Sequence, residues 1–385
     1  MAERLIYLDN AATSFPKPPE VLSRMVEMYR QLGVSPGRGG YDLGMEADEV
    51  VAETRRKLAR FFGATDPDRV VFAANATDAL NLAIQGIVAP GDHVVATRLE
   101  HNAVLRPLHH LKERRGIQFD LVPFGGDGLV DPDDVVKAIR SNTRLAVISH
   151  ASNVLGTLQP IPEIAQRCAD RGIPVLLDVA QSAGQVAIDM VRWKVSAVAF
   201  TGHKGLMGPS GIGGLVVSPD LTVNITRFGG TGVESERLFH TETYPHRLEA
   251  GTLNLLGILG LSVGLDYLGQ EGVERLHAQE MALLARLHQG LAELPGVAVY
   301  GPALRNHGVP LLACNVRGFH PSDVGAILDG DYQIAVRTGL HCAPLVHADL
   351  GTAPEGAVRF SLGCFNTDEE IAQVLKAVAD ISARR

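Results

Sequence analysis

The sequence has no long run of lysine or arginine, and its 35 basic residues are outnumbered by 43 acidic ones, which gives a formal net charge of −8 at pH 7. A nucleic-acid partner requires a basic patch that neutralises phosphates, so we expect none. Cysteine is scarce too, and no two of the four form a CxxC pair: Cys168, Cys314, Cys342 and Cys364. This usage is typical of a reducing cytoplasm, where a special cysteine is catalytic more often than bridged, and it predicts no metal site.

Long apolar segments are also missing. Residues 1–8 include Glu3 and Arg4 and lack the apolar core of a secretory signal, so we expect a cytoplasmic protein. The longest apolar stretch, residues 253–268, contains Asn254 and Asp266 and is too short and glycine-rich for a membrane span. No GxGxxG motif follows the first strand, which argues against an NAD-binding protein.

A regular alternation of strand-like and helix-like segments begins at residue 70, and this pattern is typical of a parallel doubly wound sheet. Beyond residue 295 the pattern changes to a smaller α+β unit, and a length of 385 residues fits two domains. We therefore predict an α/β fold with a large domain over residues 15–260. Residues 1–14 and 261–385 are expected to form a small α+β domain.

Four predicted strands are each followed by a distinctive polar residue: His101, Asn153, Asp178 and Lys204. Because the carboxyl ends of parallel strands line one edge of a sheet, we expect these side chains to meet in one site. A lysine held against apolar surface favours its neutral amine, which can form a Schiff base. The alternative is a solvated loop lysine, because Lys204 stands among glycines.

An aspartate and a lysine at neighbouring strand ends suit pyridoxal phosphate (PLP). The lysine would bind the cofactor, the carboxylate of Asp178 would keep the ring nitrogen protonated, and His101 would lie over the ring. Thr77, Thr201 and His203 would hold the phosphate, which needs hydroxyl and N–H donors near a helix N-terminus. Thr77 could equally be a simple helix cap, and His203 a structural histidine bonded to the backbone.

Recognisable motifs occur along nearly the whole chain. They are Tyr7-Leu8-Asp9-Asn10-Ala11-Ala12-Thr13, Arg38-Gly39-Gly40, Glu100-His101, Ser152-Asn153-Val154-Leu155-Gly156, Asp178-Val179-Ala180-Gln181, Gly202-His203-Lys204, Ala250-Gly251-Thr252 and Val336-Arg337-Thr338-Gly339-Leu340-His341-Cys342-Ala343-Pro344. The last three are specific in combination. Together the motifs resemble those of the class V aminotransferase-like enzymes, specifically the cysteine desulfurases and selenocysteine lyases. The resemblance implies the PLP-dependent transferase fold of the aspartate aminotransferase type.

The resemblance also implies a role for each matching residue. The cofactor would be held by Thr77, His101, Asn153, Asp178, Gln181, Thr201, His203, Lys204 and Thr252. Among these, Gln181 would bind the ring hydroxyl, and Thr252 would reach the phosphate of the neighbouring subunit, which implies a homodimer with shared sites. Asn153 and Arg359 match ligands of the substrate carboxylate, and Arg337 matches a residue near the nucleophile. Lys204 would also move protons between substrate carbons.

Cys342 matches the family's nucleophile, which implies that L-cysteine is converted to L-alanine with a persulfide on Cys342 that passes to a protein acceptor. A thiol needs tuning to react near neutral pH, and Arg337 and His341 are the nearby cationic candidates. The other three cysteines fall within predicted helix or strand segments or at a strand end, and we expect them to be core residues.

Several alternatives stay open at the level of sequence. A selenocysteine lyase acting on L-selenocysteine, an epimerase or a kynureninase-like lyase would keep the lysine and aspartate, and an inactive PLP-binding scaffold is the non-enzymatic alternative. Tyr41 stands where the family often has a histidine, and Asn75-Ala76-Thr77 replaces a phosphate loop richer in hydroxyls. The nucleophile loop, residues 337–344, is short, so we expect the acceptor to approach the site.

Overall fold

The computed structural model describes residues 5–37, 40–303 and 308–384, so Arg38 and Gly39 of the second motif lie outside the described residues. The first elements in chain order are β1 (Ile6–Tyr7), α1 (Pro19–Leu32), α2 (Asp42–Phe61), β2 (Val70–Ala73), α3 (Ala76–Ile87), β3 (His93–Thr97), α4 (Asn102–Arg115), β4 (Gln118–Val122), α5 (Pro132–Ala138), β5 (Thr143–Ser149), α6 (Ile161–Ala169), β6 (Val175–Asp178), β7 (Ala197–Thr201) and β8 (Gly213–Val217). The remaining elements are α7 (Leu255–Glu271), α8 (Val273–Glu293), β9 (Val297–Tyr300), β10 (Leu311–Val316), α9 (Pro321–Tyr332), β11 (Ile334–Ala335), β12 (Arg337–Gly339), α10 (Pro344–Asp349), β13 (Ala357–Ser361) and α11 (Asp368–Ser382).

Seven strands form the central sheet in the order β2-β8-β7-β6-β5-β3-β4. The strands from β7 to β4 are parallel, whereas β8 runs antiparallel to both of its neighbours, as its short preceding loop predicts. Alternate residues of β7 enter two cores: Val198 and Phe200 pack with residues of α2, α6 and α7, and Ala197 and Ala199 pack with residues of α3 and α4. The sheet is therefore covered on both faces, which confirms the doubly wound prediction.

The strand order reverses beside β3. The chain passes from β3 to the edge strand β4 and then returns to β5 on the other side of β3. Open α/β sheets bind ligands outside the carboxyl ends of their strands at such a reversal. The segments after β3 and β5 carry His101 and Asn153, and the next two strands along the sheet supply Asp178 and Lys204.

The smaller sheet contains four antiparallel strands in the order β12-β13-β10-β9. Ile6 of β1 pairs in parallel with Ile334 of β11, so the N-terminal strand joins this half of the molecule. The division at residues 15–260 and 261–385 stays a prediction, and α7 passes residue 260 without a break. We propose Gly272, with a φ of 79° between α7 and α8, as the boundary.

Local details in the C-terminal half differ from the sequence prediction. The sequence pattern over residues 332–336 predicts a strand, which is wrong at its start, because Tyr332 ends α9 and Gln333 adopts a left-handed φ of 54° before β11. The pattern does not predict α10, since six residues give too little periodicity. The spacing of Thr367 and Glu370 predicts a capping box at the start of the last helix, and α11 confirms it. Among the described residues, no helix is long and apolar enough to cross a membrane.

Candidate active site

A cavity of about 250 Å³ lies at the carboxyl ends of the large-sheet strands. Eight of the predicted cofactor residues line it: Thr77, His101, Asn153, Asp178, Gln181, Thr201, His203 and Lys204. They come from segments far apart in the chain, and the parallel strands bring them to one edge. The ninth predicted cofactor residue, Thr252, lies elsewhere. We call this space the sheet-edge cavity.

Lys204 lies in the turn that follows β7, and neighbouring segments hold its backbone from two sides. Ser14 Oγ donates a hydrogen bond to the Lys204 carbonyl at 3.0 Å, and the N–H of Ser14 donates to the carbonyl of His203 at 3.1 Å. On the other side, a Cβ atom at Gly205 would lie 2.3 Å from the Ala183 carbonyl oxygen, so glycine is required for this close approach. The loop after β1 and the turn after β6 therefore fix the position of the lysine.

The environment of the sheet-edge cavity shifts the pKa values of Lys204 and Asp178 so that the neutral form of each side chain is favoured. Burial, followed by the positive charge of Arg359, lowers the pKa of Lys204 to about 8. Burial raises the pKa of Asp178, although the N–H of Ala180 at 2.9 Å and the charge of Lys204 act in the opposite direction. A cationic partner such as a protonated ring nitrogen would stabilise this carboxylate. The lowered pKa of Lys204 does not fit a solvated loop lysine.

Glu100, which the sequence motifs do not assign a role, is bonded to Ser149 of the sheet-edge cavity lining. Its carboxylate accepts hydrogen bonds from the hydroxyl of Thr97 and from the hydroxyl of Ser149, each at 2.7 Å. Burial nevertheless raises its pKa to about 7. These bonds join the ends of β3 and β5, the two strands that flank the reversal. The only sequence signal is its place directly before His101 in a family motif.

His101 precedes α4 as its N-cap. Its Nδ1 accepts a hydrogen bond from the N–H of Ala103 at 3.0 Å, so in the neutral ring the hydrogen is on Nε2. Burial, followed by the charge of Lys204, lowers the pKa of His101 to about 4. The imidazole is therefore uncharged near neutral pH, which suits stacking on a planar ligand.

Donor groups near the N-terminus of α3 fit a phosphate. Asn75 caps the helix by accepting a hydrogen bond from the N–H of Asp78 at 3.0 Å, so the alternative in which Thr77 is the cap is wrong. The hydroxyl oxygen of Thr201 and Nδ1 of His203 are buried and have no hydrogen-bond partner among the described residues. An anion with several acceptor oxygens beside a helix N-terminus would satisfy both atoms. The residues present therefore fit the phosphate of PLP.

Arg359 is only 2 % exposed, and its guanidinium connects separate segments. Nη1 donates to the carbonyl of Asn153 at 3.0 Å, and Nη2 donates to Oδ1 of Asp9 at 2.8 Å. Its Nε is buried without a partner in the part of the chain that the structure describes, and such a group suits a ligand carboxylate. The sequence does not show the Asp9 contact, because the two residues are 350 positions apart.

Cys342 lies in the nucleophile loop, between the end of β12 and the start of α10. His341 and Cys342 both adopt left-handed φ angles, 50° and 58°, which cost non-glycine residues about 1 kcal/mol or more each. The N–H of Asn102 donates to the Cys342 carbonyl at 2.7 Å, and Nδ2 of Asn153 donates to the His341 carbonyl at 2.6 Å. Arg337 Nη2 lies 4.0 Å from Cys342 Sγ. Contacts from the large-sheet half therefore hold a strained loop.

The prediction that His341 is a cation beside Cys342 is wrong. Its side chain is 4 % exposed, and burial, followed by the positive charge of Arg359, lowers its pKa to about 3. The polar residues that surround it in sequence do not reveal this burial, which depends on how the loop folds back on α10. Arg337 is thus the cation next to the sulfur.

The remaining cysteines differ from Cys342. Burial raises the pKa of Cys168 to about 11 and that of Cys314 to about 12, and both are core residues, as predicted. Cys364 is only half-buried and, with Glu280, lines a second cavity of about 230 Å³. Burial also raises its pKa, to about 12. In the described ranges, no three His, Cys, Asp or Glu side chains are grouped so that they could hold a metal ion.

Two residues singled out in the sequence lie away from the sheet-edge cavity. Thr252 is exposed just before α7 and lines a separate cleft, so its predicted contact with a neighbouring subunit's phosphate stays a prediction. Tyr41 is the residue before α2, and it is 50 % exposed. By contrast, Gln181 reaches both the cavity and the loop after β1, since its Nε2 donates to the Ala11 carbonyl at 3.2 Å.

Comparison with known proteins gives matches over nearly the whole chain. The family model of class V aminotransferases matches residues 6–374. A probable cysteine desulfurase of Methanothermobacter thermautotrophicus is 35% identical over 384 residues, covering 98% of this chain and 94% of the relative. A cysteine desulfurase of Salmonella agona is 33% identical over 386 residues, with coverage of 98% and 93%.

Solved structures give the same result. The apo structure of a cysteine desulfurase from Thermococcus onnurineus has a TM-score of 0.92 at 34% identity, with 98% of this chain and 94% of that chain covered. An Escherichia coli cysteine desulfurase in an S-sulfonic acid form has a TM-score of 0.88 at 28% identity, with the same coverage. These likenesses confirm the predicted PLP-dependent transferase fold. The chain belongs to the class V aminotransferase family and, within it, to the cysteine desulfurases.

Proposed function

We propose that this enzyme of the cysteine desulfurase family converts L-cysteine to L-alanine with PLP as cofactor and carries the sulfur as a persulfide on Cys342. One observation carries the proposal. A lysine with a lowered pKa, Lys204, and a buried carboxylate, Asp178, line one cavity, and the backbone that holds Cys342 is bonded to Asn153 of the same lining through His341.

The cofactor would be held by residues of the sheet edge. Thr77, Thr201 and His203 would bind the phosphate, Gln181 the ring hydroxyl, and Asp178 the ring nitrogen. When bound, PLP would supply an electron sink for the substrate carbons. The neutral ring of His101 would lie over the cofactor without repelling a protonated ring nitrogen.

The substrate would be oriented by its carboxylate. The buried Nε of Arg359 would bind this carboxylate, and the same guanidinium donates a hydrogen bond to the Asn153 carbonyl. The neutral amine of Lys204 would take a proton from the substrate and return it to the product. The sulfur of Cys342 would bond to the substrate sulfur as the carbon–sulfur bond breaks, which leaves a persulfide on the enzyme and, after protonation, alanine.

The persulfide would be passed to a protein acceptor that approaches the site. The nucleophile loop is short, and its backbone is bonded to Asn102 and Asn153, so Cys342 cannot travel far without breaking these bonds. We also propose a cytoplasmic location, because four free cysteines are typical of a compartment that keeps thiols reduced.

A homodimer is also proposed. The segment before α7 is linked to a neighbouring loop by a hydrogen bond from the N–H of Gly251 to the carbonyl of Gly230 at 2.8 Å. That loop exposes large apolar side chains, with Phe228 at 76 %, Leu238 at 99 % and Phe239 at 84 % exposure. Such a patch favours a protein partner. A second copy of this chain would cover the patch, and Thr252 of each copy would reach the cofactor phosphate of the other.

The nucleophile is tested by two matched cysteine variants of the PLP-loaded enzyme. Cys342→Ser should lower alanine formation from L-cysteine by about a hundredfold or more, because an alcohol cannot take up the sulfur. Cys364→Ser, which changes a half-buried thiol of the second cavity, should stay within about twofold of wild type. The same assay with L-selenocysteine and cysteine sulfinate measures the substrate preference. A Cys342→Ser enzyme that forms alanine from L-cysteine at the wild-type rate would contradict the proposal.

A further inference from the structure

Three side chains form a hydrogen-bonded chain behind the nucleophile loop. His341 Nε2 lies 3.3 Å from the Arg337 carbonyl, and its Nδ1 lies 3.2 Å from His347 Nε2. On its other side, His347 Nδ1 lies 2.8 Å from the hydroxyl of Thr352. His347 belongs to α10 and is fully buried, and Thr352 is 7 % exposed. Neither has a role in the reaction described above.

The hydrogen positions in this chain follow from its two ends. The Arg337 carbonyl can only accept, so His341 Nε2 carries the hydrogen and His341 Nδ1 accepts from His347 Nε2. His347 Nδ1 then accepts from the Thr352 hydroxyl. The Thr352 hydroxyl also lies 3.3 Å from the His347 carbonyl. That carbonyl already receives the N–H groups of Thr352 at 2.9 Å and Ala353 at 3.2 Å, so the hydroxyl hydrogen goes to the nearer Nδ1 at 2.8 Å.

This arrangement requires two neutral imidazoles. Burial lowers the pKa of His347 to about 4, and burial, followed by the charge of Arg359, lowers that of His341 to about 3. An extra proton on either ring would turn one acceptor nitrogen into a donor and break a link. The two rings therefore do not titrate near neutral pH, and the hydrogen-bonded chain is a fixed support for the nucleophile loop.

The hydrogen-bonded chain supports the two residues whose backbone is strained. His341 and Cys342 are consecutive left-handed residues, and such a conformation persists only when several contacts impose it. Asn102 and Asn153 hold the two carbonyl groups from the large-sheet half. The ring of His341 ties the same residues to α10 within the small half.

We propose that His347 and Thr352 are positioning residues, which fix the ring of His341 and thereby hold the sulfur of Cys342 beside Arg337. In the described part of the chain, neither is among the residues that line the sheet-edge cavity. The helix that carries His347 is also anchored at its far end, where Arg98 Nε and Nη2 each donate to the carboxylate of Asp349 at 2.6 Å. The inference rests on the proposed role of Cys342 as nucleophile.

Substitutions of His347 separate hydrogen bonding from packing. His347→Leu removes the donor to His341, and we expect kcat for alanine formation to fall about tenfold to a hundredfold, the cost of a small misplacement of a reacting group. KM for L-cysteine should change less than about twofold, because Arg359 is untouched. His347→Gln keeps an N–H near the position of Nε2 and should recover most of the loss. His277→Leu, which changes a histidine bonded to the Gly308 carbonyl at 2.8 Å, is the matched control and should keep the wild-type kcat.

A spectroscopic measurement tests the chain without turnover. Nitrogen-15 NMR of histidine-labelled enzyme should show His341 with hydrogen on Nε2 and with no titration between about pH 6 and 8. In the His347→Leu enzyme, the signals of His341 should lose this single tautomer. Because this readout does not depend on activity, it separates a failure of the inference from a failure of the proposed function.

The outcomes that overturn the inference are specific. A folded His347→Leu enzyme with the wild-type kcat would do so, and so would equal losses in His347→Leu and His347→Gln. Hydrogen on Nδ1 of His341 in the wild type would also overturn it. If His347→Leu does not fold, Thr352→Val, which keeps the side-chain shape and removes the hydroxyl, should still lower kcat about threefold or more. A wild-type kcat in Thr352→Val would then overturn the inference.

Discussion

Lys204 and Cys342 belong to two regions that hold their side chains in different ways. At the sheet edge, each site residue ends or follows a strand that is largely or wholly buried, and its backbone position is set by the sheet. In the nucleophile loop, two consecutive residues have left-handed φ angles, and side chains from other parts of the chain hold them. The strands of the sheet keep the first region rigid, whereas the conformation of the second depends on individual hydrogen bonds.

This difference bears on how each region responds to substitution. Removing one side chain at the sheet edge leaves the neighbouring strands in place, so the effect should be confined to the chemistry of that residue. Removing one contact of the nucleophile loop lets its strained backbone relax. Substitution of a supporting residue that carries no reacting group, such as His347, should therefore lower the rate. Lys204→Ala at the sheet edge and His347→Leu beside the nucleophile loop test this contrast.

The largest effect is expected for Lys204→Ala at the sheet edge. Activity should fall by about four orders of magnitude, the scale found when a central group of a catalytic unit is removed, while the fold is retained. The measurement is alanine formation together with borohydride reduction of the PLP-loaded enzyme and peptide mapping.

The matched control for this prediction is Lys17. Burial lowers its pKa to about 8 as well, but its Nζ donates to Ser14 Oγ and to the His203 carbonyl, each at 2.6 Å. Lys17→Met should still attach the cofactor at Lys204. Cofactor recovered on Lys17 in the wild type would show that the wrong lysine has been assigned.

Arg359→Lys changes the residue where the two regions meet. A single ammonium cannot keep the bonds to Asp9 and Asn153 and also bind a carboxylate, so KM for L-cysteine should rise about a hundredfold. Steady-state kinetics of alanine formation measures it. Arg286→Lys, in an exposed ion pair with Asp368, should leave KM unchanged. An unchanged KM in Arg359→Lys would remove this arginine from the substrate site.

The smallest effect concerns Glu280 in the second cavity, whose lining also includes Lys204. Burial raises the pKa of Glu280 from 4.5 to about 8. Because the folded pKa is the higher one, the protonated carboxyl stabilises the fold fully below pH 4.5, and this contribution is lost as the pH rises through 8. Glu280→Gln should therefore gain stability relative to wild type with rising pH, by roughly 2 kcal/mol between about pH 6 and 9.

Denaturant unfolding of both proteins at the two pH values measures this gain. The exposed Glu274, near the start of the same helix, provides the control variant Glu274→Gln, which should show no such dependence. A stability difference between Glu280→Gln and wild type that is the same at both pH values would contradict the assigned burial effect.

The sheet edge could be predicted from the sequence because the needed information is local. A buried apolar strand followed by one polar residue is visible in a short window, and parallel strands align their ends, so Asp178 and Lys204 are found together. Family motifs add residues such as Gln181. The capping role of Asn75 rather than Thr77 was not decided by the sequence, since both residue types cap helices.

The nucleophile loop could be predicted only in part. The motif identifies Cys342, but the neutral state of His341 depends on burial by α10, a helix too short to show periodicity. The ion pair of Asp9 with Arg359 joins residues 350 positions apart. These contacts depend on how the chain packs in three dimensions, so no local pattern reports them.

The most direct test of the account is the location of the sulfur after one turnover. The PLP-loaded enzyme is mixed with isotope-labelled L-cysteine, alkylated at once and digested, and the peptides are analysed by mass spectrometry. We expect the labelled sulfur as an alkylated persulfide on Cys342, in an amount equal to the alanine formed. Alanine formed without labelled sulfur on Cys342, or with the label on Cys364, would contradict it.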